Sequence, residues 1–411
     1  MINKDKFIIM ADATDKSDLD SLKTFKQSGM DTFVLYPNDL DHYGAIERCE
    51  KAGLDVFIFG GSSVCEQNKH LFPYAIDLFP NYMERYVREK VDLNKYNHLT
   101  GLYIIDEPSA NFFDMINKIN VPWFNSLYAG KKLWHINLLP SYATDEQLGV
   151  TAKDGQTAYE VYVNRYADEV LPLVQGVKTI GVDNYPLRDK DGVISLREDW
   201  LSDLAVVGTA AKRSKAIYSV CIQAYCVEDQ KKVDCTGDIR FQLYTAMAFG
   251  ASMFEFYAYS TAHGSMAMLD KDGNATDIYY SVRDAVREIR ALEKEYLKYD
   301  WVGFNTYLPQ GGKSVDFDRI EKYAQPIDGV SGVKVTRETI ISRYECGEKS
   351  AYLVLNHGLP VISKSNIVDI CFIGAKRICI YQNGRKDYLE TDNGKVTLFL
   401  EAGQGVFVIP E

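Results

Sequence analysis

The stretch Gly101–Ser109, GLYIIDEPS, decides the fold: an apolar run rich in isoleucine ends in an acidic pair, Asp106-Glu107, immediately before Pro108. A short β-branched run closed by turn chemistry reads as a strand. The same pattern recurs in FIIMADA from Phe7, TFVLYP from Thr32, VFIFGGS from Val56, LWHINLLP from Leu133, TIGVDNYP from Thr179, AIYSVCIQAY from Ala216 and SMFEFYAYS from Ser252. Amphipathic segments lie between these runs. Strand and helix in alternation predict parallel strands joined by crossover helices, and eight runs predict a (β/α)8 barrel.

The intervening segments carry helix signals. Leu19, Leu22 and Phe25 share a face of SDLDSLKTFKQSG, as do Ile46 and Cys49 of HYGAIERCEKAG, and Gly29 and Gly53 stand just past the last turns. DIYYSVRDAVREIRALEKEYLKY, with Val282, Ala285, Ile289, Leu292 and Tyr296 in register, predicts the closing helix of the ring. From Trp301 the texture changes to short alternating runs, with Asn383-Gly384 and Asn393-Gly394 as tight turns whose residues tolerate positive φ. The expected organisation is a barrel over residues 1–300 and an all-β sandwich over residues 301–411, the second packed directly on the first.

Composition excludes several classes of function. A net charge of −11, with acidic and basic residues interspersed, offers no broad positive surface to nucleic acid or an anionic membrane. No apolar run approaches the roughly 20 residues that cross a bilayer. A cytoplasmic location follows if Met1 is the natural start, and a secreted or cell-surface one if a signal peptide has been removed. The eight cysteines are scattered with no CxxC pair, which predicts reduced, mostly core residues. The sequence does not specify an oligomeric state.

In a (β/α)8 barrel the chemistry sits at the C-terminal ends of the strands. The polar residues there are Asp12, Tyr36, Asp106, Glu107, His135, Asn137, Asp183, Asn184, Tyr185, Gln223, Tyr225, Glu255, Tyr257 and Tyr259. Aromatic faces stack on pyranose C–H patches, amides and carboxylates bind hydroxyl pairs, and two carboxyl groups astride a glycosidic bond cleave it. Carbohydrate is therefore the expected partner. Competing barrel chemistries lack their residues: no Gly-rich phosphate loops follow the last two strands, only His135 of the histidines lies at a strand end, and no strand end carries a lysine for a Schiff base. Nothing here calls for a metal or another cofactor. Partial burial at the mouth would raise the Glu107 pKa toward that of a general acid. The plainer roles are a helix cap for Glu107, turn chemistry for Asp183 and a wall ion pair for Glu255. GSMAMLDKDGNATD, with its Asp272-Gly273 turn, is the candidate loop over the pocket.

IDEPS resembles the Asn-Glu-Pro that ends strand four of the clan A glycoside hydrolases, with Asp106 in the Asn position and Glu107 in that of the acid/base. The D-x-Y-P sixth strand, the FxxYxAMAFGA helix leading into the eighth and the β-rich C-terminus extend the resemblance over both expected domains. It implies a glycoside hydrolase. One departure stands out: the clan carries its nucleophile as a Glu ending strand seven, where this chain has Gln223. The second carboxylate is then Asp183, Glu255 or Asp106, in that order, with strand alternation against Asp106 as the neighbour of Glu107. Gln223 also opens a different reading, a barrel that binds carbohydrate without cleaving it; a lyase or transglycosidase is a third.

Overall fold

The computed structural model describes residues 5–12, 18–35, 42–60, 93–227, 233, 235–261, 266–360 and 362–411. Its largest sheet is a closed barrel of the strands Ile8–Ala11 (β1), Thr32–Leu35 (β2), Asp55–Phe59 (β3), Leu99–Asp106 (β4), Leu133–Leu138 (β5), Thr179–Val182 (β6), Ile217–Gln223 (β9) and Met253–Tyr257 (β10). Each coincides with one of the eight expected runs, β3 and β4 starting before theirs, at Asp55 rather than Val56 and at Leu99 rather than Gly101. A hairpin of Leu187–Lys190 (β7) and Val193–Leu196 (β8) is inserted after β6 and turns on Asp191 and Gly192, both at positive φ. No helix among the described residues is long and apolar enough to cross a membrane.

By compactness the chain divides into two units. One is built on Ile8–Asn184 and Val206–Cys221 and carries the consecutive parallel pairs from β1 to β6, with Thr179 of β6 opposite Ile217 of β9. Helix Leu19–Gln27 starts where the Asp18 carboxylate accepts the N–H groups of Asp20 and Ser21, and it buries Leu22 and Phe25, the latter edge-on to Phe33 of β2 at 5.3 Å. Each such side chain withdrawn from water contributes about 1.5–3 kcal/mol. Leu19, expected on that face, lies in the first turn and is exposed.

The second unit is built on Tyr185–Ala205 and Ile222–Glu411, with Phe7. Its β-domain has a six-stranded antiparallel sheet of Asp300–Tyr307 (β11), Thr339–Cys346 (β13), Lys349–Asn356 (β14), Gly405–Pro410 (β19), Arg377–Gln382 (β16) and Arg385–Glu390 (β17), in that order. The other sheet has Val330–Val335 (β12), Asn366–Phe372 (β15) and Lys395–Leu400 (β18). Ile341, Val354, Val368, Ile370, Ile378, Leu398 and Val406 fill the space between them. Both Asn-Gly turns are present, with all four residues at positive φ.

Helix Thr236–Ala248 ends against this domain. Carbonyls in the last turn of a helix have no partner within it; here Tyr344 and Tyr296 donate to Met247 O, and Ser342 and Trp301 donate to Ala248 O. The closing helix runs from Asp277 to Arg290 and resumes as a short turn, Glu293–Tyr296. At the break Glu293 Oε2 takes both the Phe7 N–H (3.0 Å) and Arg290 Nη1 (2.6 Å), a tie that one continuous helix was not expected to make. Cys49, Cys221, Cys226 and Cys379 are buried, whereas Cys346 is exposed.

Candidate active site

Strand β4 is irregular at its end, and the irregularity builds the site. Tyr103 lies opposite His135 and Ile105 opposite Ile136, so Ile104 is an extra residue in the strand. Residues three apart in a regular strand point to opposite faces; one inserted residue brings them to the same face. Tyr103 Oη accordingly donates to Asp106 Oδ1 at 2.6 Å. Gly60, just past β3, braces the bulge by donating to Tyr103 O at 2.6 Å, and a Cβ there would stand 2.1 Å from Ile104 O. Only glycine fits that approach.

Glu107 follows with φ +50°, a left-handed conformation that costs a non-glycine residue on the order of 1 kcal/mol or more. Its neighbours hold it there. The Glu107 N–H donates to Asn137 O at 2.9 Å, and the next carbonyl, Pro108 O, accepts from Tyr162 Oη at 2.6 Å. Tyr162 comes from helix Ala158–Arg165, which opens with a reciprocal Thr157/Glu160 cap, and its hydroxyl also accepts the Leu139 N–H just past β5. One phenol therefore ties the turn after β4 to the end of β5.

Asp183, the first residue after β6, hydrogen-bonds the Glu107 carboxyl. Two carboxyl groups in direct contact do not both ionise readily, so one proton is held between them. The Glu107 pKa is pushed up from 4.5 to about 7, first by burial and then by the charge of Asp106, while the hydrogen bond from Asp183 acts the other way. Burial lifts the Tyr162 hydroxyl well above its ordinary value, and negative charge on the Glu107–Asp183 pair lifts it further. A proton held in this way at neutral pH is what general acid catalysis requires.

Below this group the barrel is filled. His135 is fully buried, with Nδ1 2.6 Å from Thr179 Oγ1 and its ring 4.4 Å from that of Tyr103; burial drives its pKa down to about 3, so it is neutral. Asn137, also buried, donates from Nδ2 to Tyr103 Oη at 2.8 Å. Its carbonyl end occupies space left by Gly181 of β6, where a Cβ would stand 1.9 Å from Asn137 Oδ1. Asp12 is half-buried just past β1, and Tyr36 lies outside the described residues.

The second unit brings together a different set. Tyr185, Tyr225 and Tyr257 form a ring cluster with centroids 5.2–5.7 Å apart, in which Tyr225 stands at 87° and 90° to the other two. Tyr185 and Tyr257 are half-buried, whereas Tyr259 and Glu255 are buried. Gln223, at the end of β9, is fully buried: Oε1 accepts the Leu187 N–H at 2.9 Å and Nε2 donates to Leu187 O at 3.3 Å. Its backbone is held in turn by the amide of Gln242. Gln223 thus anchors the start of the β7–β8 hairpin. In the candidate loop, Asp270 Oδ1 accepts the N–H groups of Asp272 and Asn274, which closes the turn at Gly273. No cluster of metal-ligating side chains occurs among the described residues.

Sequence reasoning missed Tyr103 and Tyr162. Tyr103 sits inside the apolar run that defined β4, with nothing local to mark the bulge. Tyr162 had one unused signal, the capping-box spacing of Thr157 and Glu160 that opens its helix.

No protein-family model matches the chain, and no curated protein matches it. Among solved structures, a catalytic mutant of a GH42 β-galactosidase from G. stearothermophilus is similar over 98% of this chain and 98% of that chain, with a TM-score of 0.52 and 9% identity. A GH30 endoxylanase from Clostridium papyrosolvens C71 matches over 98% and 95%, with a TM-score of 0.46 and 12% identity. The first likeness shows the fold, a closed parallel barrel followed by β-sheets, as the resemblance to clan A implied.

Proposed function

We propose that the chain is a glycoside hydrolase that cleaves an O-glycosidic bond of an oligo- or polysaccharide, with its barrel over residues 1–300 and its sandwich over 301–411. One observation carries the reading: a Glu at the mouth of a (β/α)8 barrel, held in a left-handed turn, with its carboxyl raised to about pKa 7 and bonded to a second acid. Glu107 is the general acid that protonates the leaving oxygen. Asp183 is the second carboxyl, and Glu255 is the alternative if Asp183 does no more than share the Glu107 proton. Retaining pairs stand about 5–5.5 Å apart and inverting pairs about 6.5–9.5 Å; two hydrogen-bonded carboxyls are closer than either. The glycosidic oxygen therefore takes the place of Asp183 as the partner of Glu107, which frees Asp183 for the anomeric carbon or its attacking water.

Asp12, Tyr36, Asp106, Tyr185, Tyr225, Tyr257 and Tyr259 are the proposed sugar-facing residues, the aromatic ones as stacking surfaces. His135, Asn137 and Gln223 serve substrate through the groups they hold. The test is a screen of aryl glycosides and oligosaccharides with the wild type and Glu107→Gln. Turnover that falls by about 10²–10⁴ in the variant supports the reading; turnover equal to wild type removes it. Gln223, an amide already engaged where clan A has its nucleophile, supports a second reading, a carbohydrate-binding barrel. A sugar that raises the melting temperature of the wild type without being cleaved would establish that reading instead.

A further inference from the structure

Asp106 stands directly before Glu107, and two hydrogen bonds in series fix its carboxylate: Asn137 Nδ2 to Tyr103 Oη at 2.8 Å, then Tyr103 Oη to Asp106 Oδ1 at 2.6 Å. The direction follows from the groups. An amide nitrogen only donates, so Tyr103, already accepting from Asn137, gives its single proton to Asp106. A carboxyl oxygen that accepts a phenol proton is stabilised as the carboxylate. Tyr103 and Asn137 are 1% and 2% exposed, so water does not compete for the bond between them, and Asp106 is half-buried. The bulge at Ile104 and the space at Gly181 are the two backbone features that let the chain form.

We propose that Asn137, Tyr103 and Asp106 are positioning residues that hold a negative charge beside Glu107 and so set the pH at which Glu107 releases its proton. This rests on reading Glu107 as the acid. The titratable groups around it among the described residues are Asp106 on β4, Asp183 after β6, and Tyr162 on its helix. His135, beneath Tyr103, is neutral. Asp106, whose carboxyl accepts the Tyr103 proton, acts on Glu107 in the same direction as burial.

The test follows the Glu107 carboxyl directly. The full chain is labelled with 13C at the Glu side-chain carboxyls, the Glu107 resonance is assigned by its loss in Glu107→Gln, and its midpoint is measured in wild type, Asp106→Asn and Tyr103→Phe. Asp106→Asn lowers the midpoint by about one pH unit, a tenfold rise in the acid dissociation constant. Tyr103→Phe moves it the same way by less, because the carboxylate is then free to turn toward water, and this isosteric change serves alone if Asp106→Asn does not fold. An unmoved midpoint in a folded variant overturns the proposal. With a cleaved substrate in hand, the alkaline limb of kcat/KM shifts in step with the resonance; a limb that stays fixed while the enzyme turns over also overturns it. Midpoints that move as stated in a protein that cleaves nothing uphold the relay and defeat the hydrolase reading.

Discussion

Glu107 and Asp183 are bonded carboxyl to carboxyl, across the gap between the ends of β4 and β6. A resting site of this kind stores a proton at the cost of stability. The pKa of Glu107 is about 7 in the folded chain against 4.5 when unperturbed, so between those values the folded state binds more protons than the unfolded one, and stability falls as pH rises through that window.

Glu107→Gln removes this pH-dependent cost. The variant should be more stable than wild type at pH 8, by up to about 3 kcal/mol, and should lose the advantage below pH 4.5, where both states of the wild type are protonated. Thermal unfolding at pH 4.5 and 8 measures it. A variant less stable than wild type at pH 8 would mean that Glu107 is a structural anion.

Tyr162→Phe tests how the turn is held. The substitution keeps the ring and deletes a hydroxyl that bonds both Pro108 O and the Leu139 N–H, leaving two buried backbone groups without that partner. The expected cost is about 1–3 kcal/mol. With a substrate available, kcat should fall more than KM rises, because the left-handed Glu107 loses its anchor while the sugar contacts remain. Unchanged stability and kcat would show that the Asn137 carbonyl suffices.

The barrel was legible because eight apolar runs announce themselves locally, and so was Glu107, because an acidic pair before proline marks a strand end. What sets the directions of Asp106 and Glu107 was not legible. Strand alternation sets neighbours on opposite faces, and what overrides it here is a bulge at Ile104 and a positive φ at Glu107, both enforced by distant partners, Gly60, Asn137 and Tyr162. Tertiary contacts of that kind leave no local trace. The β7–β8 hairpin differs: Asp191-Gly192 is a strong local turn signal that the strand–helix alternation leaves unread.

His357 should make the fold sensitive to acid. It is 4% exposed, with its ring 5.4 Å from that of Phe241 and 5.5 Å from that of Phe317, and neither ring nitrogen has a hydrogen-bond partner among the described residues. Burial lowers its pKa from 6.5 to about 4. The unfolded chain takes up a proton at higher pH than the folded one, so stability is lost as pH falls from 6.5 toward 4, by roughly 3 kcal/mol in all. His135 adds a similar loss that continues toward pH 3. His357→Leu should flatten the first part of the curve. A variant whose melting temperature falls with acid as steeply as that of wild type would assign the loss elsewhere.

Gln223→Glu introduces the residue type that clan A carries at the end of strand seven, and it should not raise turnover. The introduced carboxylate would keep the Leu187 N–H as a donor, but its second oxygen would face Leu187 O, where Gln223 now places an N–H. A fully buried acceptor set against another acceptor costs about 1–3 kcal/mol. Protonation relieves it, because a neutral carboxyl donates to that carbonyl, so the destabilisation should be smaller at pH 5 than at pH 8. Melting temperatures at the two pH values, with turnover on whatever glycoside the wild type cleaves, decide the matter. A variant as stable as wild type at pH 8, with higher turnover, would show that the end of β9 opens to substrate and that the hairpin does not depend on Gln223.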